Sequence, residues 1–395
     1  MKSVLKGNVF WVGKVDWELQ TFHGNEYSTH NGSSYNAYLI KEEKTVLIDT
    51  VWAPFAKEFV ENLASEIDLN QIDFIIANHG EPDHSGALPA LMQRIPKTPI
   101  YCTANAVKSL RGQYHQDWDF HVVKTGDKLS VGNGKELIFV EMPMLHWPDS
   151  MATYLTGDQI LFSNDAFGQH LATTALFNDL VDQCGLMNEA MKYYANILTP
   201  FSQILRKKLE EITAFNLQID MIATSHGVVW RDNPMQIVEK YALWADDYQE
   251  NQITIIYDTM WNGTRALAEK IAEGIHAAAP DVAVKVFNIT KSDENDVITE
   301  VFKSKTVLVG SPTNSRSVLH SIAGFIHLMK ELRFKNKKAA AFGCYGWSGE
   351  AVGVISAMLE DAGFQIVDQG FKNQWNPDGD ARRRAFEFGE KIAAM

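Results

Sequence analysis

The sequence predicts an α/β protein of two units, an αββα sandwich over residues 1–250 and a doubly wound parallel sheet over residues 251–395. Three observations predict this division. A chain of 395 residues is longer than one hydrophobic core usually supports, since domains cluster around ~100–200 residues. Up to Glu250 the chain is dominated by short β-rich runs with helical segments between some of them. From Asn251 onward strand and helix alternate strictly, the signature of βαβ units.

In the first unit a strand is expected over 10–16, and strands over 35–40 and 45–50 form a hairpin across the charged turn Lys41-Glu42-Glu43-Lys44. Further strands are expected over 74–78, 99–103, 136–141 and 221–224, with a second hairpin over 153–162 turning at Gly157-Asp158. Helices are expected over 55–67 and 87–95. That mixture implies two sheets flanked by helices.

In the second unit five strands are readable, over 253–257, 282–289, 306–310, 338–343 and 364–369. The helix after the first carries Leu267, Ile271 and Ile275 at four-residue spacing, one buried stripe. Five strands match the flavodoxin-like order, whose ligand lies above the carboxyl ends of the first, third and fourth strands.

Composition narrows the function. The net charge of −13 repels phosphate backbones, and the short run Arg382-Arg383-Arg384 does not offset it, so nucleic acid is not an expected partner. No apolar run approaches the roughly 18 residues of a membrane span. Trp11, Lys14 and Asp16 interrupt the first hydrophobic stretch, so no secretion leader is read and the cytoplasm is the expected compartment. Only Cys102, Cys184 and Cys344 occur, with no Cys-x-x-Cys pair, which excludes disulfide frameworks, zinc ribbons and rubredoxin-type centres. Metal chemistry therefore falls to the histidines.

The densest chemical signal is His79-Gly80-Glu81-Pro82-Asp83-His84, directly after the apolar run Phe74-Ile75-Ile76-Ala77. His146, in Leu145-His146-Trp147-Pro148-Asp149-Ser150, stands in an equivalent place, as do Asp165 after Phe162-Ser163-Asn164 and His226 after Ala223-Thr224-Ser225. Each lies at or just beyond an apolar strand, and strand ends along one edge of a sandwich can converge. Packing alone gives no reason to concentrate ionisable groups there. The local run resembles the His-x-His-x-Asp-His motif of the metallo-β-lactamase superfamily, with Glu81 in place of the second histidine. Three carboxylates beside four histidines form a harder, more anionic set than zinc hydrolases use, and iron fits it better than zinc. Asp165 is placed to bridge two metals, one per oxygen.

After strand 253–257 comes Asp258-Thr259-Met260-Trp261-Asn262-Gly263-Thr264, leading into a helix. Hydroxyls and amides at a helix N-terminus are a phosphate site, and no Walker lysine is present to serve a triphosphate. Two more loops, Gly310-Ser311-Pro312-Thr313-Asn314-Ser315-Arg316 and Gly343-Cys344-Tyr345-Gly346-Trp347-Ser348-Gly349, stand where a flavodoxin-like sheet would contact a flat ring. Trp347 among small residues reads as a stacking surface. FMN is the expected ligand, with contacts from Thr259 to Thr264, Pro312 to Asn314, Cys344 to Trp347, and Gly349.

Together these residues resemble one family, the flavodiiron proteins, along essentially the whole chain, and most nearly the flavodiiron core of flavorubredoxins without a rubredoxin domain. The resemblance implies that His79, Glu81 and His146 bind one iron, that Asp83, His84 and His226 bind the other, and that Asp165 bridges them. It implies reduction of O2 to water or NO to N2O, with electrons passing through FMN from a separate rubredoxin or flavin reductase. It also implies a head-to-tail homodimer or dimer of dimers. The chain departs from the family at Ser315-Arg316, where many members have Asn-Asn, and at Asn25, where many have an aromatic two residues after the equivalent of His23. A diferrous centre and reduced FMN together hold four electrons, enough to reduce O2 to water or to couple two pairs of NO. The rival readings are a zinc hydrolase with an appended flavin domain, opposed by Glu81, and an electron carrier with a dead N-terminal domain, opposed by the complete ligand set.

Overall fold

The structure, a computed structural model, describes residues 3–395 and separates into two compact units. The first runs to Tyr194 and includes Phe201–Leu243; the second comprises Ala195–Pro200 and Trp244–Met395.

The first unit holds a seven-stranded and a five-stranded sheet. The larger is ordered Ser3–Lys6, Val9–Trp11, Tyr38–Lys41, Thr45–Ile48, Ile72–Ile76, Ile100–Cys102 and Phe120–Val122. The smaller is ordered Lys128–Gly132, Lys135–Glu141, Met151–Leu155, Ile160–Asn164 and Met221–Thr224. Strand alternation assigns the two faces of the larger sheet. Leu39, Leu47 and Ile75 join a core with Phe59, Leu63, Leu91 and Leu110 from the helices Ala56–Glu66, Leu88–Arg94 and Ala104–Tyr114. Ile40, Val46, Ile48 and Ile76 face the other way, into a second core with Leu137, Phe139, Met151 and Phe162 of the smaller sheet. Both faces are covered, which is why these strands read as unbroken apolar runs.

Both expected hairpins form, at Tyr38–Lys41 with Thr45–Ile48 and at Met151–Leu155 with Ile160–Asn164. The expected strand over 10–16 is instead two strands. Val9–Trp11 pairs within the large sheet, whereas Lys14–Asp16 pairs with Ser33–Tyr35, so the chain leaves one sheet at Val12. Phe120–Val122 and Lys128–Gly132 are short edge strands with one buried residue between them, Val131, too little to mark them in the sequence.

The second unit is a parallel sheet ordered Ala283–Asn288, Glu250–Tyr257, Ser304–Gly310 and Lys338–Tyr345. The fifth expected strand, over 364–369, is only Gln365–Ile366, and an unexpected strand, Phe371–Gln374, follows it; both pair with Lys338–Tyr345. Gly370 separates them at φ +91°, and a Cβ there would stand 2.6 Å from the Ala341 carbonyl. Helix Gly263–Ala278 buries Leu267, Ile271 and Ile275 as its spacing requires. The order places the first strand between second and third, so the loops after Tyr257, Gly310 and Tyr345 open along one edge. Among the described residues no helix is long and apolar enough to cross a membrane.

Candidate metal centre and flavin cleft

The first unit brings all seven predicted ligands to one buried cluster, and strand pairing explains how. Ile160–Asn164 and Met221–Thr224 run parallel with Asn164 opposite Thr224, so Asp165 and His226 leave neighbouring strands at the same end. His79 and Glu81 follow strand Ile72–Ile76, and Pro82 opens a single helical turn, Pro82–Ser85, that carries Asp83 and His84. His146 lies in the connection between Lys135–Glu141 and Met151–Leu155.

The ligand atoms separate into two groups. Those of His79, Glu81, His146 and Asp165 lie within 4.8 Å of one another, as do those of Asp83, His84 and His226. Asp165 addresses both. Its Oδ2 is 3.5 Å from His79 Nε2 and 3.5 Å from His146 Nε2, while its Oδ1 is 3.1 Å from His84 Nε2 and 3.4 Å from His226 Nε2. Glu81 Oε2 is 3.2 Å from His79 Nε2, and Asp83 Oδ2 is 3.1 Å from both His84 Nε2 and His226 Nε2.

Whether these residues suit metal ions is tested by what the atoms lack. Nε2 of His79 and His84, and both oxygens of Asp83 and Asp165, are buried without a hydrogen-bond partner among the described residues. Polar atoms this close and without a hydrogen bond are costly to bury unless a cation is shared between them. The electrostatics agree. Burial opposes charge on His79, but Asp149 and Glu81 outweigh it and raise the ring to about 10; burial likewise opposes His226, and Asp165 and Asp83 raise it to about 9. Burial alone would raise Glu81, yet His23 and His79 hold it down at about 2. Three carboxylates thus demand positive charge, which two cations would supply.

The supports behind the ligands carry less sequence signal. His79 Nδ1 is 3.0 Å from Asp149 Oδ1, whose second oxygen accepts the Gly80 amide at 3.1 Å. His226 Nδ1 is 2.7 Å from the Ser34 carbonyl. Asp149 stands in the Trp147-Pro148-Asp149-Ser150 run, so proximity to His146 was its only signal. His23 Nε2 lies 3.0 Å from Glu81 Oε1, while Asn25 is exposed in the turn between Thr21–Phe22 and Tyr27–Ser28. Sequence reasoning missed His170 entirely. Its ring lies 5.1 Å from that of His226 and 4.8 Å from Phe22, and its Nδ1 is 2.7 Å from Ser33 Oγ. It sits in an irregular segment with no periodicity to mark it.

In the second unit a cleft of about 720 Å³ opens at the predicted strand edge. Every loop residue expected at a flavin lines it except Asn262 and Gly349. Asn262 instead ends its loop at φ +63° as the residue before helix Gly263–Ala278, and Gly349 lies against the Tyr345 ring. Ser315, Trp375 and Asn376 join the lining. Trp375 was missed because Phe371–Gln374, the strand that delivers it, is polar and short. Two features suit a phosphorylated aromatic ligand. Among the described residues Thr264 Oγ1 is buried with no hydrogen-bond partner beyond the adjacent Cys344 thiol, at the N-terminus of a sixteen-residue helix, where amides and dipole favour an anion. Trp347 and Trp261 are 88% and 84% exposed, aromatic surface that a stacked ring would cover.

Comparison with known proteins follows the same division. Residues 34–227 match the family described as ODP family beta lactamase, and residues 255–389 match Flavodoxin. The chain is 59% identical over 394 residues to the anaerobic nitric oxide reductase flavorubredoxin of Klebsiella pneumoniae, spanning 100% of this chain and 82% of that one. The same identity and coverage hold for the protein of that name from Escherichia coli K12. Among solved structures, it is similar to the rubredoxin oxygen:oxidoreductase of Desulfovibrio gigas, with TM-score 0.96 and 33% identity over 100% of this chain and 98% of that one. The flavodiiron protein of Giardia intestinalis gives TM-score 0.95 and 32% identity over 100% and 96%. With its two halves and its full length matched in this way, the chain belongs to the flavodiiron protein family of oxidoreductases.

Proposed function

We propose that this chain reduces nitric oxide to nitrous oxide, and dioxygen to water as a second activity, with electrons entering through FMN. The observation that carries the reading is Asp165, one oxygen of which faces His79 and His146 while the other faces His84 and His226. Relatives at 59% identity bear the nitric oxide reductase name and the relative at 33% bears the oxygen name, which favours NO.

Bound at these positions, two non-haem irons supply adjacent coordination positions and two electrons, and FMN supplies two more. In our assignment His79, Glu81 and His146 would hold one iron, Asp83, His84 and His226 would hold the other, and Asp165 would be shared between them. Glu81, Asp83 and Asp165 offset most of the charge of a diferrous pair. Asp149 and the Ser34 carbonyl fix the orientation of the His79 and His226 rings, as carboxylates and carbonyls behind ligating imidazoles do. Phe22 and Tyr193 pack around His170, whose ring lies beside that of His226.

Thr264 and the amides of its helix would take the FMN phosphate, and Trp347 would cover the ring. A rubredoxin-type protein or a flavin reductase is the donor this reading calls for, and a head-to-tail homodimer its assembly. Cys102, Cys184 and Cys344 are free thiols, which suits a reducing cytoplasm. The test is metal and flavin analysis followed by anaerobic stopped-flow mixing with each gas. About two irons and one FMN per chain, and rapid reoxidation of the reduced protein by NO, are expected. Full-rate gas reduction by protein loaded with zinc would defeat the assignment.

A further inference from the structure

One loop at the flavin cleft departs from what its backbone asks for. Asn314 and Ser317 exchange both backbone hydrogen bonds, at 3.0 and 2.8 Å, closing a two-residue turn over Ser315 and Arg316. Both turn residues have positive φ, +49° and +61°, a geometry that favours Asn and Gly. A long charged side chain is thus held on a tight, strained support. Ser315 lines the cleft itself, and Arg316 lines an adjoining hollow of about 360 Å³ that shares Thr313, Ser315, Gly346 and Trp347 with it. Arg316 is exposed and, among the described residues, has no hydrogen-bond or ion-pair partner, although the chain carries a net charge of −13. Glu350, at the end of the neighbouring loop, does not pair with it.

An unpaired cation whose backbone is held at the rim of an aromatic cleft acts on whatever gains charge inside it, since the field needs no contact. On the reading that the cleft binds FMN, we propose that Arg316 tunes the flavin, binding the two-electron-reduced ring in preference to the oxidised one and so raising its reduction potential. The ring takes two electrons from the external donor and one proton from solvent, and ends one negative charge richer. Arg316 gives up no proton and serves only as the counter-charge.

The test uses the full chain reconstituted with FMN. Arg316→Asn removes the charge while keeping a residue that tolerates positive φ, and Arg316→Lys keeps the charge. Binding of oxidised FMN is measured by fluorescence, and the potential of bound FMN by anaerobic dithionite titration against redox dyes. Arg316→Asn should weaken reduced relative to oxidised FMN by about tenfold, a fall of about 30 mV for a two-electron couple. Arg316→Lys should retain most of the wild-type potential, and added salt should narrow the gap between wild type and Arg316→Asn. An unchanged potential in Arg316→Asn overturns the proposal, as does equal weakening of both redox forms, which would make the turn a shape element. Failure of the wild-type chain to bind FMN would instead sink the flavin reading, and this proposal with it.

Discussion

His79 Nδ1 lies 3.0 Å from Asp149 Oδ1, and both side chains are wholly buried. That contact leaves Nε2 of the same ring facing Glu81 and Asp165. Asp149→Asn keeps the shape and removes the charge behind the ligand. Iron affinity should fall about 10- to 100-fold, read by chelator competition, with FMN content unchanged. Wild-type iron retention would detach Asp149 from the metal centre.

Glu81 separates this proposed ligand set from the His-x-His-x-Asp-His pattern. Glu81→His replaces a hard anionic donor with imidazole, so the site should retain less iron, take up zinc more readily and lose gas reduction. The FMN should remain reducible by the same donor. Metal analysis and stopped-flow spectra decide it, and a variant with two irons and normal reoxidation by NO and O2 would show that Glu81 is not a functional ligand.

Trp347 is exposed and belongs to no core, so its removal isolates flavin binding from stability. Trp347→Ala should cost about 0.5–1.5 kcal/mol of aromatic stacking, up to roughly tenfold in FMN affinity. Iron content and melting temperature of the metal-binding unit should not move. Unchanged flavin affinity and potential would take Trp347 out of the site.

Helices Gly263–Ala278 and Gly379–Ala393 touch through their backbones. A Cβ at Gly274 would stand 2.0 Å from the Phe386 carbonyl, and one at Gly389 would stand 2.2 Å from that of Ile271. Gly274→Ala gains about 1 kcal/mol of helix propensity, yet should destabilise the flavin-binding unit by about 1–3 kcal/mol because the helices must part. Thermal melts followed by FMN release give the sign. A rise in Tm would mean the helices separate at little cost.

Lys337 is buried, and its Nζ donates to the Phe302 and Ser304 carbonyls at 2.7 Å each. Burial pushes its ammonium down to about 7 against 10.5 for the ordinary side chain, with Asp247 opposing. Between those values the unfolded chain binds a proton that the folded chain has released. Stability should therefore rise with pH across that window, by at most about 1.4 kcal/mol per pH unit, and the contribution should be gone below pH 7. Urea melts across the window should show the slope in wild type and lose it in Lys337→Met. Equal slopes would assign the dependence to other groups.

Much of the architecture was legible because it is written locally. The apolar runs at 45–50, 153–162 and 221–224 mark strands whatever surrounds them, and Leu267, Ile271 and Ile275 define a helix face by spacing alone. Some short strands were not legible. Phe371–Gln374 has one buried residue, so nothing in its pattern announced a strand or the Trp375 that follows it. His170 illustrates the same limit at the metal centre, since an irregular segment has no period from which burial can be read.

By itself, then, the sequence determined which candidate ligands the protein owns and that they follow apolar strands, because residue type and periodicity are local properties. Tertiary structure alone decided how they meet. The parallel pairing of Ile160–Asn164 with Met221–Thr224 puts Asp165 beside His226, and packing against the turn at Pro82–Ser85 gives each Asp165 oxygen its own group of ligands. The same holds for Asp149 behind His79 and for Arg316 at the rim of the cleft. Such relations arise between segments far apart in the chain, where burial and backbone pairing set positions that no local pattern encodes.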